Sequence, residues 1–221
     1  MIIFGENTIE FETNVFINCP FDNDYIDLLC PLLFTVLYLG MTPRIATERS
    51  DSGEIRINKI CELISDSKFG IHDISRLKSK VANEYFRLNM SFELGLDYAG
   101  KRYGSEQLKQ KQLLILEKEP YDYQKSLSDI SGMDIKSHEN EPTKLVCEVR
   151  NWFYETVGLR NAEDFIVIWW RYTEFLGFLD TRLEEKGMNQ KEAIETLKIM
   201  PIKEFIDLGI QWIQNPSHNF T

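Results

Sequence analysis

The run QLLILE at residues 112–117 is the stretch of sequence that decides the fold. A short, continuous apolar run bounded by polar residues is typical of a strand that is buried on both faces. Similar runs occur at residues 14–19 (NVFINC) and 69–74 (FGIHDI), and a further strand is predicted at residues 42–47. A short fifth strand is expected within residues 133–137.

Helical spacing separates these strands. Tyr25 to Val36 forms one apolar face, inside which Pro31 should kink the helix or mark a late start. The run DSGE at residues 51–54 resembles a capping box that opens a second helix. Residues 84–100 predict a third helix, and Pro142 opens a fourth. This alternation predicts an α/β fold, a flavodoxin-like parallel sheet of about five strands with helices on both faces.

The division between regions falls near residue 158. Residues 1–158 carry the α/β pattern, whereas residues 159–221 show helical periodicity without a strand signal and form a helical C-terminal extension. Gly187 is expected to stop one helix there, Asn189 to cap the next, and Pro201 to start the last. The apolar stripe of this extension predicts core or interface. Self-association, or contact with a partner protein, is therefore expected through these helices.

Composition narrows the function classes. The chain has 221 residues, a formal net charge of -10 and a pI of about 4.9, which argues against binding to duplex nucleic acid. We expect no signal peptide and no membrane partner. The four cysteines lack metal-binding or disulfide spacing and predict free thiols in the cytoplasm, and neither they nor the three histidines predict a metal site.

The most specific local signal lies in the run NMSFELGLDYA at residues 89–99. Asn89, Glu93 and Asp97 form a polar line on an otherwise apolar helix. A carboxylate on such a helix is either paired, here with Arg87 or Arg102, or functional. Desolvation would raise its pKa and make Glu93 a usable base or nucleophile.

Other candidates lie where parallel sheets bind ligands, outside the carboxyl ends of the strands. Asp73 ends a strand and either holds a ribose or caps the next segment. Phe21 either stacks on a base or packs in the core, and Asp22 can cap a helix. At the predicted helix start, Asp51 and Ser52 suit ribose hydroxyls or form a plain cap, whereas Arg44 or Arg56 suits a phosphate.

Four motifs together carry a resemblance to a known family. They are FINCPFD (residues 16–22), SDSG (50–53), GIHD (70–73) and FELGL (92–96). The region of about residues 14–155 resembles the nucleoside 2-deoxyribosyltransferase superfamily, whose relatives include NAD-cleaving Toll/interleukin-1 receptor (TIR) type domains. It is most similar to a bacterial TIR-like group associated with defence.

The resemblance implies roles for individual residues. Glu93 matches the carboxylate that attacks, or assists attack at, the anomeric carbon of an N-glycoside, and Asp73 matches an acid that holds or protonates the base. Phe21 matches the aromatic of the first loop, and Asp51 with Ser52 matches the ribose pocket. The expected substrate-binding set is completed by Asn18, Asp22, Arg56 and Asn89.

The sequence departs from the family in one respect. Transferases of the family often carry a second acidic residue just before this helix, but none can be aligned here, and Asn83-Glu84 is the closest sequence. Its absence disfavours base exchange more than hydrolysis. We therefore expect an N-glycosidase that cleaves NAD or a related nucleotide without metal or cofactor, in antiphage defence or nucleotide signalling. The alternatives are a non-catalytic nucleotide-sensing module whose tail mediates assembly, and an interaction domain with a degenerate pocket.

Overall fold

The fold is built on a parallel sheet of five strands. A computed structural model describes residues 7–76 and 88–215, and its strands are β1 (Asn14–Asn18), β2 (Thr42–Ile45), β3 (Phe69–Asp73), β4 (Gln112–Glu117) and β5 (Lys136–Ser137). The strands lie in the order β2-β1-β3-β4-β5, and every adjacent pair is parallel. The predicted α/β flavodoxin-like architecture is confirmed, because this order is that of a doubly wound sheet.

Helices cover both faces of the sheet. They are α1 (Asn7–Thr13), α2 (Ile26–Tyr38), α3 (Arg56–Ser65), α4 (Asn89–Tyr103), α5 (Pro142–Trp152), α6 (Phe165–Glu184), α7 (Gln190–Ile199) and α8 (Ile202–Gln214). Phe16 of β1 packs with the buried face of α3, whereas Val15 and Ile17 pack with α2 and α5. The alternation of side chains along a strand thus assigns α3 and α4 to one face and α2 and α5 to the other.

The C-terminal helices share the core of the sheet. Phe34 of α2 stacks on Phe175 of α6 with ring centroids 5.4 Å apart, and its ring lies 5.9 Å from that of Trp212 in α8. The predicted helical extension is therefore packed directly on α2. Its expected stops and caps are also present: Gly187 has a φ of 87°, and Asn189 caps α7 with a capping box.

Several local predictions need correction. The run DSGE does not open a helix, since α3 begins at Arg56 after an uncapped Ile55. Asp51 instead accepts a hydrogen bond from the backbone N–H of Gly53, and this turn competes with helix formation. The strand expected at residues 42–47 ends at Ile45, and α2 runs through Pro31 from Ile26. The helix expected at residues 84–100 is seen as α4, and residues 84–87 lie outside the described residues.

Within residues 7–76 and 88–215, none of the helices is both long enough and apolar enough to cross a bilayer.

Candidate functional site

The candidate site lies at the carboxyl edge of β1 and β3, where the order of the strands reverses direction. Asn18 ends β1 beside His72, and Asp73 ends β3. Crossover connections leave these two strands toward opposite sides, and such a switch point opens a crevice in which doubly wound sheets bind their ligands. The side chains that line this edge are therefore the ones whose chemistry matters.

Glu93 reaches this edge from α4. The residue is only 4% exposed, and burial raises the pKa of its carboxyl group. The guanidinium of Arg56, at the start of α3, opposes that rise from 3.7 Å away. Because the Arg56 side chain is about half exposed, Glu93 is a buried acid that faces a surface cation.

Buried hydrogen bonds fix α4 on the sheet on both sides of Glu93. The Asn18 side-chain amide donates to the Met90 carbonyl at 2.8 Å and to His72 Nδ1 at 3.0 Å. Because Nδ1 accepts this hydrogen bond, the ring proton of His72 is on Nε2, which lies 3.0 Å from Asp97 Oδ2. Asn18 therefore holds the helix three residues before Glu93, and His72 holds it four residues after.

The same network continues to the opposite edge of the sheet. Lys111, which immediately precedes β4 and is 1% exposed, places its Nζ 3.2 Å from Asp97 Oδ1. It also donates to the carbonyls of Ile64 and Ser67. Burial lowers the pKa of the Lys111 ammonium group, and the Asp97 carboxylate acts against that fall. The residues of the polar line predicted on α4 thus have different surroundings. Glu93 lies at the candidate site, whereas Asp97 forms buried contacts with His72 and Lys111.

Asp73 lies in a buried cluster of hydrogen bonds. Its carboxylate accepts from the Tyr25 hydroxyl, from His138 Nε2 at 3.0 Å and from the Ser75 backbone N–H at 2.8 Å. Burial acts to raise the pKa of Asp73, but the interactions with His138, Ser75 and Tyr25 outweigh it and hold that pKa below its ordinary value. Asp73 is therefore ionised at neutral pH and has no proton to give.

This cluster contains a serine, a histidine and an aspartate, yet it is not a nucleophilic triad. His138 Nε2 faces both Asp73 Oδ2 and Ser75 Oγ, each at 3.0 Å, while Nδ1 accepts from the Asn140 backbone N–H. Because Nδ1 accepts, the ring proton is on Nε2, and this nitrogen cannot take a proton from Ser75. A triad needs serine and aspartate on opposite nitrogens of the histidine.

Cys19 shows that the carboxylates converge. Burial raises the pKa of its thiol well above the ordinary range, and the charges of Asp73, Glu93 and Asp22 raise it further. All three acids therefore lie within electrostatic reach of one buried atom at the end of β1. The thiol stays protonated and inert at neutral pH.

The other predicted site residues are distributed around this edge. Phe21 is half-buried against the core, and Asp22 pairs with Arg76 at 2.5 Å. Asn18 is buried and spent on anchoring α4. Asp51, Ser52 and Asn89 are exposed, and Arg56, the first residue of α3, lies 3.7 Å from Glu93.

Sequence reasoning missed the buried partners. His138, Tyr25 and Lys111 come from segments that are distant in the chain, and none carries a local motif. Glu117 was recognised only as the end of a strand. Its carboxylate accepts from the backbone N–H groups of Tyr121 and Tyr123 and shapes the loop after β4. Within the described part of the chain, no cluster of three or more potential metal-ligating His, Cys, Asp or Glu side chains is found.

Comparison of the chain with protein-family models, with curated proteins and with solved structures finds no significant match.

Proposed function

We propose that the protein is an N-glycosidase that cleaves the ribosyl–base bond of NAD or a related nucleotide, with Glu93 as its catalytic carboxylate. The observation that carries the proposal is the setting of Glu93, a buried acid of raised pKa at the switch point of the sheet. Cleavage of such a bond passes through an oxocarbenium-like state. A carboxylate beside the anomeric carbon either stabilises that charge or captures the sugar covalently.

The state of Asp73 supports a particular leaving group. Its carboxylate is ionised and occupied by three donors, so it is a poor general acid. It can hold the architecture around the base but does not protonate it. A ring that is already cationic, as nicotinamide is in NAD, departs as a neutral base and needs no proton from the protein.

Arg56 gives the site its second charge. Its guanidinium favours the ionised form of Glu93, which is the form that stabilises a ribosyl cation. The exposed half of the same side chain is available to a phosphate of the substrate. Phe21 and Asp22 follow β1 at the same edge and are proposed to contact the base and the ribose.

The experiment compares wild-type protein with Glu93→Gln on NAD and on a panel of nucleotides, with free base and ribosyl product measured by chromatography. We expect Glu93→Gln to reduce cleavage by about a hundredfold or more. The control is Glu62→Gln, which neutralises an exposed acid on neighbouring α3 and should leave cleavage unchanged. Equal rates for wild type and Glu93→Gln on every substrate cleaved would refute the catalytic role.

A nucleotide-sensing module is the second candidate, and one observation favours it. The charges of Arg56 and Glu93 already compensate each other in part, because the two side chains lie 3.7 Å apart. The Asp73 carboxylate is likewise occupied by hydrogen bonds within the protein. Such a site can bind a nucleotide without turning it over. Saturable binding of NAD or another nucleotide by calorimetry, with no product formed and the same stoichiometry in Glu93→Gln, would select this candidate.

Assembly through the C-terminal helices belongs to the same proposal. Ile166 and Trp170 lie one turn apart on α6 and are 58% and 66% exposed. Exposed aromatic and aliphatic side chains on one helical face favour contact with another chain. Light scattering of wild type against Trp170→Glu tests this, with a smaller mass expected for the variant. A wild-type monomer would exclude self-association through this face.

A further inference from the structure

A second candidate for binding is the outer edge of β4, away from Glu93. The ladder between β4 and β5 consists of two residue pairs, Leu116 with Lys136 and Glu117 with Ser137. Residues 112–115 of β4 lie beyond this ladder. At about 3.3 Å per residue they present roughly 13 Å of strand that β5 does not cover.

The direction of the backbone groups follows from two hydrogen bonds to the β3 side. The Gln112 N–H donates to the Lys68 carbonyl at 3.1 Å, and the Ile74 N–H donates to the Leu116 carbonyl at 2.9 Å. The even-numbered residues of β4 therefore direct their backbone groups toward β3. Because backbone groups alternate along a strand, Leu113 directs its N–H and C=O to the outer side.

These groups face a groove. A cavity of about 550 Å³ lies along the edge, with Leu113, Leu114 and Ile115 as its apolar floor. One wall comes from α4 and presents Tyr98 and Lys101. The opposite wall comes from α5 and the turn after it, and presents Glu148 and Glu155. The groove thus follows the uncovered edge of β4 and has two walls of different character.

The charged residues that line the groove indicate which kind of ligand it binds. Lys136 pairs with Asp134 at 2.9 Å, so these two largely cancel. The pKa of Lys136 is raised by the Asp134 hydrogen bond and then by the charges of Asp134, Glu148 and Glu155. After that pair is set aside, two acids on the α5 wall face one base, Lys101, on the α4 wall. The groove therefore favours a cationic guest.

We propose that this groove binds an extended peptide segment of a partner protein, added as a further strand at the β4 edge. Such additions are held by main-chain hydrogen bonds, and alternate side chains give specificity. Here the alternate side chains that face α5 are basic and meet Glu148 and Glu155. Those that face α4 are apolar or aromatic and pack on Tyr98.

The test uses two labelled peptides of about eight residues, enough to exceed the open edge. One alternates lysine with valine and the other alternates glutamate with valine. Fluorescence anisotropy on the full chain should give at least about tenfold tighter binding of the lysine peptide. Hydrogen exchange of the Leu113 amide should slow when that peptide is bound. Absence of binding up to about 1 mM would overturn the proposal.

Variants separate main-chain pairing from side-chain contact. Leu113→Pro removes the outward N–H while the β3 side of the ladder keeps its bonds, as edge strands tolerate. It should weaken binding of the lysine peptide about tenfold, whereas Leu113→Ala should change it less than about threefold. The double variant Glu148→Lys, Glu155→Lys should reverse the preference between the peptides. Equal losses in Leu113→Pro and Leu113→Ala would contradict strand addition.

A second copy of the chain is the competing occupant. If light scattering shows a wild-type dimer that Leu113→Pro converts to monomer, and the lysine peptide does not bind, the edge pairs with itself and the proposal is wrong. Neither result depends on cleavage of a nucleotide, so the outcome is independent of the role of Glu93.

Discussion

Glu93 and Asp73 are two buried carboxylates at the same edge of the sheet, yet their pKa values shift in opposite directions. Glu93 lies on the α4 side and faces one half-exposed cation, and burial raises its pKa. Asp73 lies on the α2 side, is fully buried, and its three donors lower its pKa. The number and quality of hydrogen bonds therefore decide which buried acid is structural and which is available for chemistry.

The largest effect is expected from breaking the Asp73 cluster. Asp73→Asn replaces an acceptor oxygen with an NH₂ group that points at existing donors from Tyr25 and His138. We expect the free energy of unfolding to fall by about 3 kcal/mol in urea titrations. Asp129→Asn, on the exposed loop after β4, is the control and should change it by less than about 0.5 kcal/mol. A loss below about 1 kcal/mol in Asp73→Asn would mean that the cluster is not saturated.

A smaller loss of stability is expected when the Asp97–His72 pair, which holds the Glu93 helix on the sheet, is disturbed. A Cβ at Gly70 would overlap Asp97 Oδ2 and lie 2.9 Å from His72 Nε2, so Gly70→Ala should push this pair apart and cost about 2 kcal/mol. Gly95→Ala on α4 is the matched control, because a Cβ there meets open space. It should raise stability by up to about 1 kcal/mol through helix propensity. Thermal unfolding that places both variants on the same side of wild type would contradict this account.

Removal of one of the groups that donate to Asp73 tests how much a single hydrogen bond contributes to its cluster. Tyr25→Phe deletes the hydroxyl that donates to the carboxylate and keeps the buried ring. We expect a loss of about 1 kcal/mol, since His138 and Ser75 remain as donors. In a double-mutant cycle with Asp73→Asn, the two losses should not add, because both report on one network. Strict additivity would show that Tyr25 acts through packing alone.

The smallest effect is a pH dependence of opposite sign for the two acids. The folded-state pKa of Asp73 is lowered, so its stabilisation is present above the unfolded value of about 3.9 and is lost as the pH falls through the folded pKa. The folded-state pKa of Glu93 is raised, so its contribution is present below about 4.3 and is lost as the pH rises through the folded pKa.

Urea titrations across the acid range measure both effects. Relative to wild type, Glu93→Gln should gain stability as the pH rises above the Glu93 pKa, whereas the deficit of Asp73→Asn should shrink below about pH 4. Curves for the two variants that run parallel across this range would show that the two environments do not differ as described.

Much of the fold was predictable because it follows from periodicity. The buried runs at β1, β3 and β4 and the helical spacing between them predict the sheet, and the short fifth strand lies where expected. The burial of Glu93 was predictable for the same reason, because the residues around it on the helix are mostly apolar. These are local patterns that a sequence carries directly.

The sequence was least informative where the same residues are compatible with several local structures, or where a side chain bonds to a distant part of the chain. Asp51 suits a helix cap or a tight turn, and the structure has the turn. Asn18, a predicted substrate-binding residue, donates to the Met90 carbonyl, a partner 72 residues away. His138 is joined to Asp73 across 65 residues of chain. Such contacts depend on the assembled sheet, so one sequence cannot reveal them.

The aromatic packing of Phe34 with Phe175 and Trp212 has a consequence for biosynthesis. The strands and helices that position Glu93 leave the ribosome well before α6 and α8. The side chains of α6 and α8 cover the face of α2 that points away from the sheet. Until those helices are made, a large apolar surface on α2 stays open to water and to chaperones. Nascent chains that stop before α8 should therefore be captured by quality control rather than released with a working site.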